Sequence, residues 1–254
     1  MTVSLPATPS FRLDGRRALV TGASRGIGLA SAAALVEAGA HVTLVARSAG
    51  DLAAVVDAIG PGRAEALPLD ILDANAVRIA VAERAPFDIF VNAAGCNRPR
   101  MFLDVTEDDY DTIMDLNVRA AFFATQAVAA RMVESELAGS IIQISSQMGH
   151  VGGALRGVYC ASKWAIEGMT RALAIELARH RVRINTIAPT FIETALAAQS
   201  LRDPDYRRHV MTKIKLGRLG QVEDPMGAVV FLASDASGMM TGTSMVIDGG
   251  WTAG

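Results

Sequence analysis

Tyr159 and Lys163 stand four residues apart in a segment that reads as helix from Val158 to Leu177, so their side chains share one helical face. A phenol is too weakly acidic to exchange protons readily at neutral pH, and a neighbouring cation favours the phenolate. The pair is therefore suited to general acid and base chemistry. Ser145 and Ser146 lie upstream, where the apolar run Ser140 to Ile144 reads as a buried strand and gives way to a glycine-rich loop. Ligands bind beyond that edge of an open parallel sheet. Each residue also has a plainer reading, as a solvated lysine, a packing tyrosine or a turn serine, so the elements around them decide.

The first of those elements is the strand Arg17 to Thr21, which runs into GASRGIG and an alanine-rich helix expected over Leu29 to Ala38. Gly22, Gly26 and Gly28 let a backbone turn sharply and approach a pyrophosphate, and the helix behind them offers unpaired N–H groups to it. The second strand, His41 to Ala46, ends at Arg47, where many dinucleotide folds carry an acidic residue for the ribose hydroxyls. An arginine there suits a 2′-phosphate, and Arg25 in the glycine loop adds a second cation, which favours NADP(H) over NAD(H).

Alternation continues with a helix near Asp51 to Ile59, a strand at Ala64 to Leu69, a helix at Asp73 to Arg84 and a strand at Phe87 to Val91. Asp70 and Asn92 end strands on the cofactor edge, either as ligands or as turn residues. The small residues Ala93, Ala94 and Gly95 follow, where a backbone could lie against an adenosine. A long helix opens at Thr106-Glu-Asp-Asp109, close to a capping box, and runs to about Met132. It contains Asn117, a poor interior helix residue whose amide needs partners, for structure or for function. A strand at Val182 to Ala188, a mixed segment at 190–220 that reads as a lid with a turn at Asp203-Pro204, a helix starting at Glu223-Asp-Pro225 and a strand at Ser244 to Ile247 complete the chain. The pattern predicts an α/β, three-layer, doubly wound fold with a parallel sheet, as a single domain over 1–254 with a leader at 1–12.

Composition narrows the function. With 254 residues, 51% hydrophobic and 20% charged, the chain can bury a full core, and a net charge of −2 offers no footprint for nucleic acid or an anionic membrane. No cationic stretch precedes an apolar one at the N-terminus, so a cytoplasmic protein without a membrane span is expected. Cys96 and Cys160 read as small buried apolar residues, and no residue cluster has the spacing of metal ligands.

Taken together, TGASRGIG from Thr21, NAAG from Asn92, Asn117, Ser146, YCASK from Tyr159 and the terminal DGGW resemble the short-chain dehydrogenases/reductases over nearly the whole length. Ser146 stands thirteen residues before Tyr159, as the family has it. The resemblance implies a Rossmann-type seven-stranded parallel sheet of order 3-2-1-4-5-6-7 and a homotetramer. It implies that Tyr159 exchanges a proton with the substrate oxygen, that Lys163 lowers the tyrosine pKa and holds the nicotinamide ribose, that Ser146 bonds the substrate oxygen, and that Asn117 anchors a water. Gly22, Ser24, Arg25, Ile27 and Gly28 would line the phosphates and ribose, with Arg47 at the adenosine end. Asp70 and Ile71 would meet the adenine, Asn92 to Gly95 the adenosine and ribose, and Ile192 with Thr194 the carboxamide. Two departures stand out: Pro189-Thr190 replaces Pro-Gly, and Asn92-Ala93 replaces Asn-Asn.

The implied activity is NAD(P)-dependent interconversion of a secondary alcohol and a ketone. The Cys-Asn-Arg-Pro-Arg run after Gly95, together with MGAVVFLAS and DGGW, resembles branches acting on polyols and sugar acids such as gluconates, in which Arg98, Arg100 or Arg156 would meet a substrate carboxylate. The alternatives are a 3-oxoacyl thioester reductase docking an acidic carrier protein through cations between Arg202 and Arg218, and a non-catalytic dinucleotide sensor, for which Ser146, Tyr159 and Lys163 would be superfluous.

Overall fold

The computed structural model describes residues 4–254. Of the leader at 1–12, residues 1–3 lie outside the described residues, and 4–12 run exposed and without regular structure until Arg12 donates to the carbonyl of Glu37 at 3.3 Å. Seven strands follow: Arg17–Thr21 (β1), His41–Ala46 (β2), Ala64–Pro68 (β3), Ile89–Asn92 (β4), Ser140–Ile144 (β5), Arg183–Pro189 (β6) and Ser244–Ile247 (β7). All pair in parallel in the order β3-β2-β1-β4-β5-β6-β7, as the resemblance implied. The direction of strand addition reverses between β1 and β4, and crevices open at the carboxyl edge of such a switch point.

The helices are Gly26–Glu37 (α1), Ala49–Ile59 (α2), Ala74–Ala82 (α3), Glu107–Met114 (α4), Ala121–Glu134 (α5), Gly157–Leu177 (α6), Ala195–Ser200 (α7), Pro204–Lys213 (α8) and Met226–Ala233 (α9). Successive strand residues face opposite sides of the sheet, so each central strand feeds two cores. On one face Val20, Val42 and Leu44 pack with Leu35 of α1, Leu52 of α2 and Leu232 of α9. On the other, Leu19, Phe90 and Ile141 pack with Val81 of α3, Met132 of α5 and Ala174 of α6. No helix among the described residues is long and apolar enough to cross a membrane.

Several boundaries depart from the sequence reading for identifiable reasons. The first helix begins at Gly26, inside the glycine turn, and Leu29 already donates to the carbonyl of Arg25. The fourth strand begins at Ile89 because the Asp88 carboxylate, accepting from the Arg17 N–H at 2.8 Å, ties off the preceding loop. Asp73 caps α3 as an acceptor instead of belonging to it. Asp203-Pro204 is a helix start, not a turn: the Asp203 carboxylate accepts from the N–H groups of Asp205 and Tyr206. Thr106 and Asp109 close a full capping box, but the helix they open is broken by a π-helical turn at Asp115–Ala120. Cys96 and Cys160 are half-buried, not fully so.

Candidate active site

β5 ends at Ile144 and delivers Ser145 and Ser146 to the carboxyl edge, where Ser146 caps a short 3₁₀ turn over Gln147–Gly149. The buried Ser146 hydroxyl donates to Gln147 Oε1 at 2.7 Å and accepts from the Met148 N–H at 3.1 Å. α6 begins at Gly157, so Tyr159 and Lys163 occupy its first two turns. Ser146, Tyr159 and Lys163 line one solvent-open cleft at the ends of β4, β5 and β6.

The electrostatics differ from the sequence expectation. The Lys163 ammonium is buried, donates to the Ile144 carbonyl at 2.9 Å and lies 5.6 Å from the centre of the Tyr159 ring. Burial lowers its pKa from 10.5 to about 8, against the smaller opposing influence of Cys96 and Glu167. Burial pushes the Tyr159 phenol up, and what pulls it back is the Ser146 hydroxyl and the charge of Arg156. Arg156 is a cation that pulls the phenol down, while the lysine hydrogen bond is directed at the strand end.

Asn117 lies in the π turn, a distortion frequent at functional sites. Its amide is 2% exposed and spans two segments: Nδ2 donates to the Cys96 carbonyl at 2.9 Å and to Ser162 Oγ at 3.1 Å, and Oδ1 accepts from the Cys96 N–H at 2.8 Å. Both N–H groups are committed, so this side chain fastens the strand β4 exit to α6 and has none left to donate to a water.

The glycine turn fits a dinucleotide phosphate. A Cβ on Gly28 would lie 2.2 Å from the Gly22 carbonyl oxygen, and Gly22, at φ +67°, would place its own Cβ 3.0 Å from Ala94. α1 starts without a side-chain cap, which leaves its first N–H groups for an anion. Ile27, Ala93 and Gly95 reach the cleft, as do Ile192 and Thr194. The Thr194 methyl lies 3.4 Å from where a Gly26 Cβ would stand, so the segment after β6 meets the glycine turn. Arg25 and Arg47 are exposed, and Ser24 is half-buried.

Several other expected site residues are not part of the cleft lining. Asn92 does not face the cofactor edge: its buried amide accepts from Thr21 Oγ1 at 2.7 Å and donates to Gln143 at 2.9 Å, tying β4 to β1 and β5. The Thr21 hydroxyl also accepts from the N–H groups of Ala93 and Ala94, which holds that backbone against Gly22. The Ile71 side chain packs into the core, and the exposed Asp70 makes an Asx contact with the Leu72 N–H. Arg98 pairs with Asp108 and Asp109, and Arg100 with Asp109 at 3.2 Å, all at the start of α4 and away from the cleft lining. Arg156 does line it.

Gln147, Met148 and Phe191, not singled out in sequence, also face the cleft, as does Thr190. The Thr190 hydroxyl is buried without a hydrogen-bond partner. The departure from Pro-Gly at this position was its one sequence signal.

A family model described as enoyl-(acyl carrier protein) reductase matches residues 22–252. The chain is 39% identical to D-erythrulose reductase of Gallus gallus over 243 residues, covering 96% of this chain and 98% of that one. Among solved structures it superposes on a short-chain type dehydrogenase/reductase of Mycobacterium marinum with TM-score 0.88 at 40% identity, and on a gluconate 5-dehydrogenase of Burkholderia cenocepacia in complex with NADP and tartrate with TM-score 0.92 at 34% identity, each covering 96% of this chain and 98% of the other. Near-complete coverage at these identities, on a sheet of the same construction, makes this chain a member of the short-chain dehydrogenase/reductase family and an NAD(P)-dependent oxidoreductase of secondary alcohols and ketones.

Proposed function

We propose that the protein is an NADP(H)-dependent oxidoreductase of polyols, ketoses or sugar acids, with Tyr159 as its proton-transfer group. The reading is carried by the convergence of Ser146, Tyr159 and Lys163 on one cleft with a phosphate-binding turn at its edge. When bound, the nicotinamide gives or takes the hydride. The Tyr159 hydroxyl gives its proton to the substrate oxygen in reduction and takes it back in oxidation. Ser146 donates to the same oxygen, which requires its O–H to swing from Gln147, while the Met148 N–H keeps the oxygen atom in place. Lys163 holds the cofactor ribose, and the Ile144 carbonyl keeps its amine at the cleft.

Gly22, Ser24, Ile27 and Gly28 hold the phosphates and ribose, the exposed Arg25 and Arg47 take a 2′-phosphate, and Ile192 with Thr194 meet the carboxamide. The preference for sugar-type substrates draws on the erythrulose reductase and on the gluconate dehydrogenase bound to NADP and tartrate. The segment 190–220, with α7 and α8, acts as a lid, anchored by Phe191 stacked on Trp251 at 5.7 Å. Tyr110, Phe122, Phe123 and Trp164 stay exposed on α4 to α6, which suits burial between subunits of a homotetramer.

The test is NADPH and NADH oxidation by purified protein with ketoses, oxo acids and 3-oxoacyl thioesters, and the reverse reaction with polyols. Tyr159→Phe is expected to lower kcat by about 10²- to 10⁴-fold while NADP(H) still binds. A variant that turns over like the wild type would overturn the assignment. Faster turnover of acyl thioesters than of any sugar would favour the carrier-protein reading, although two of the cations it relies on, Arg208 and Arg218, are already paired with Asp205 and Asp224.

A further inference from the structure

We infer that the cleft recognises a carboxylate, and that Arg156 is the group that binds it, so the substrate is a hydroxy acid or its oxo acid rather than a neutral polyol. This rests on the reading above and narrows it to one substrate class.

Arg156 is 3% exposed, yet no carboxylate of the described residues lies within ion-pair distance of it, and no Asp or Glu lines the cleft. Its guanidinium sits 5.9 Å from the centre of the Phe191 ring and 5.7 Å from that of Tyr206. Nη2 reaches the Tyr206 hydroxyl at a long 3.4 Å, and Nη1 is buried with no acceptor. Facing aromatic rings offset part of the cost of burying a cation, but they accept no in-plane N–H bond. Arg183 shows what a structural arginine looks like in this fold: its N–H groups are met by the carbonyls of Leu232, Ser234 and Ser237 and by the Ser237 hydroxyl. Arg156 instead leaves Nη1 without an acceptor, in the wall of the cleft that also holds the proposed proton donor. A carboxylate is the ligand whose two oxygens match such a fork.

Placement adds a size limit. Arg156 caps α6 three residues before Tyr159, so the two side chains leave neighbouring points of one helix. An acid held at Arg156 brings a carbon only a few bonds away to the phenol, which selects short-chain acids. The Arg156 charge pulls the Tyr159 phenol down. A bound carboxylate cancels that pull and favours the protonated phenol, the form that donates to a ketone.

The experiment compares oxo acids of three to six carbons with their carboxamides, NADPH being the reductant. Wild-type kcat/KM should favour the acid by about 10- to 100-fold, the range for a charge-assisted hydrogen bond, and Arg156→Gln should bring the ratio towards one, with Arg156→Lys in between. Independently of turnover, sodium tartrate should raise the melting temperature of the wild type saturated with NADP⁺ but not that of Arg156→Gln, NADP⁺ binding serving as the control that the variant is folded. If Arg156→Gln does not fold, the wild-type acid-to-amide ratio and the tartrate shift in Tyr206→Phe decide. Equal use of acid and amide by the wild type, or an acid preference that survives Arg156→Gln, overturns the inference while leaving the oxidoreductase reading intact. Absence of turnover with every carbonyl compound overturns the reading instead, and the tartrate shift still judges the carboxylate site.

Discussion

The Lys163 ammonium and the Ile144 carbonyl meet at 2.9 Å, closing the end of β5 onto the second turn of α6. One hydrogen bond thereby holds the serine-bearing loop and the tyrosine-bearing helix together, and it does so in a site dry enough to bring the lysine pKa to about 8. Position and charge at this centre are coupled.

That coupling has a pH signature. The folded pKa lies below the unfolded value near 10.5, so the unfolded chain binds more protons between the two and unfolding becomes harder as pH rises through that window. The contribution is fully present above the unfolded value and is lost as pH falls through about 8. The melting temperature of the cofactor-free wild type relative to Lys163→Met should therefore climb from pH 7.5 to pH 10. A flat difference would mean that the ammonium is hydrated.

Arg47 is exposed at the end of β2, where an acidic side chain would repel a phosphate. Arg47→Ser is expected to raise the KM for NADPH by about 10- to 100-fold and to change that for NADH little. Steady-state kinetics with both cofactors check this, and equal losses for the two would remove Arg47 from phosphate recognition.

Gly28 has no room for a side chain, since its Cβ would meet the Gly22 carbonyl oxygen at 2.2 Å, a backbone atom that cannot rotate away. Gly28→Ala should push the glycine turn apart and abolish NADP(H) binding measured by fluorescence titration, even where circular dichroism shows the helices retained.

Asn117→Ala would strip partners from the main chain of Cys96 and from Ser162 in a buried seam. A loss of about 2–4 kcal/mol in urea unfolding is expected from the orphaned groups. Turnover should fall as well, because Ser162 Oγ also donates to the Tyr159 carbonyl at 2.7 Å. An undisturbed urea midpoint would show that the π turn stands without its amide.

What could be read from sequence was local. Glycine spacing, strand and helix periods and the distance from Ser146 to Tyr159 report on neighbours within a few turns of chain, and they sufficed for the parallel sheet and for the side chains gathered at its edge. Arg98, Arg100 and Arg156 looked alike on that scale. The fold separated them: Arg98 and Arg100 found Asp108 and Asp109 nearby, whereas Arg156 was enclosed by Phe191 and Tyr206, rings from distant stretches of the chain. In the same way Asn92 turned inward to Gln143 of the adjoining strand, Ile71 entered the core, and Lys163 lost the water that keeps an amine ordinary. Burial and pairing of polar side chains depend on what distant segments bring to them, and no spacing along the chain records that.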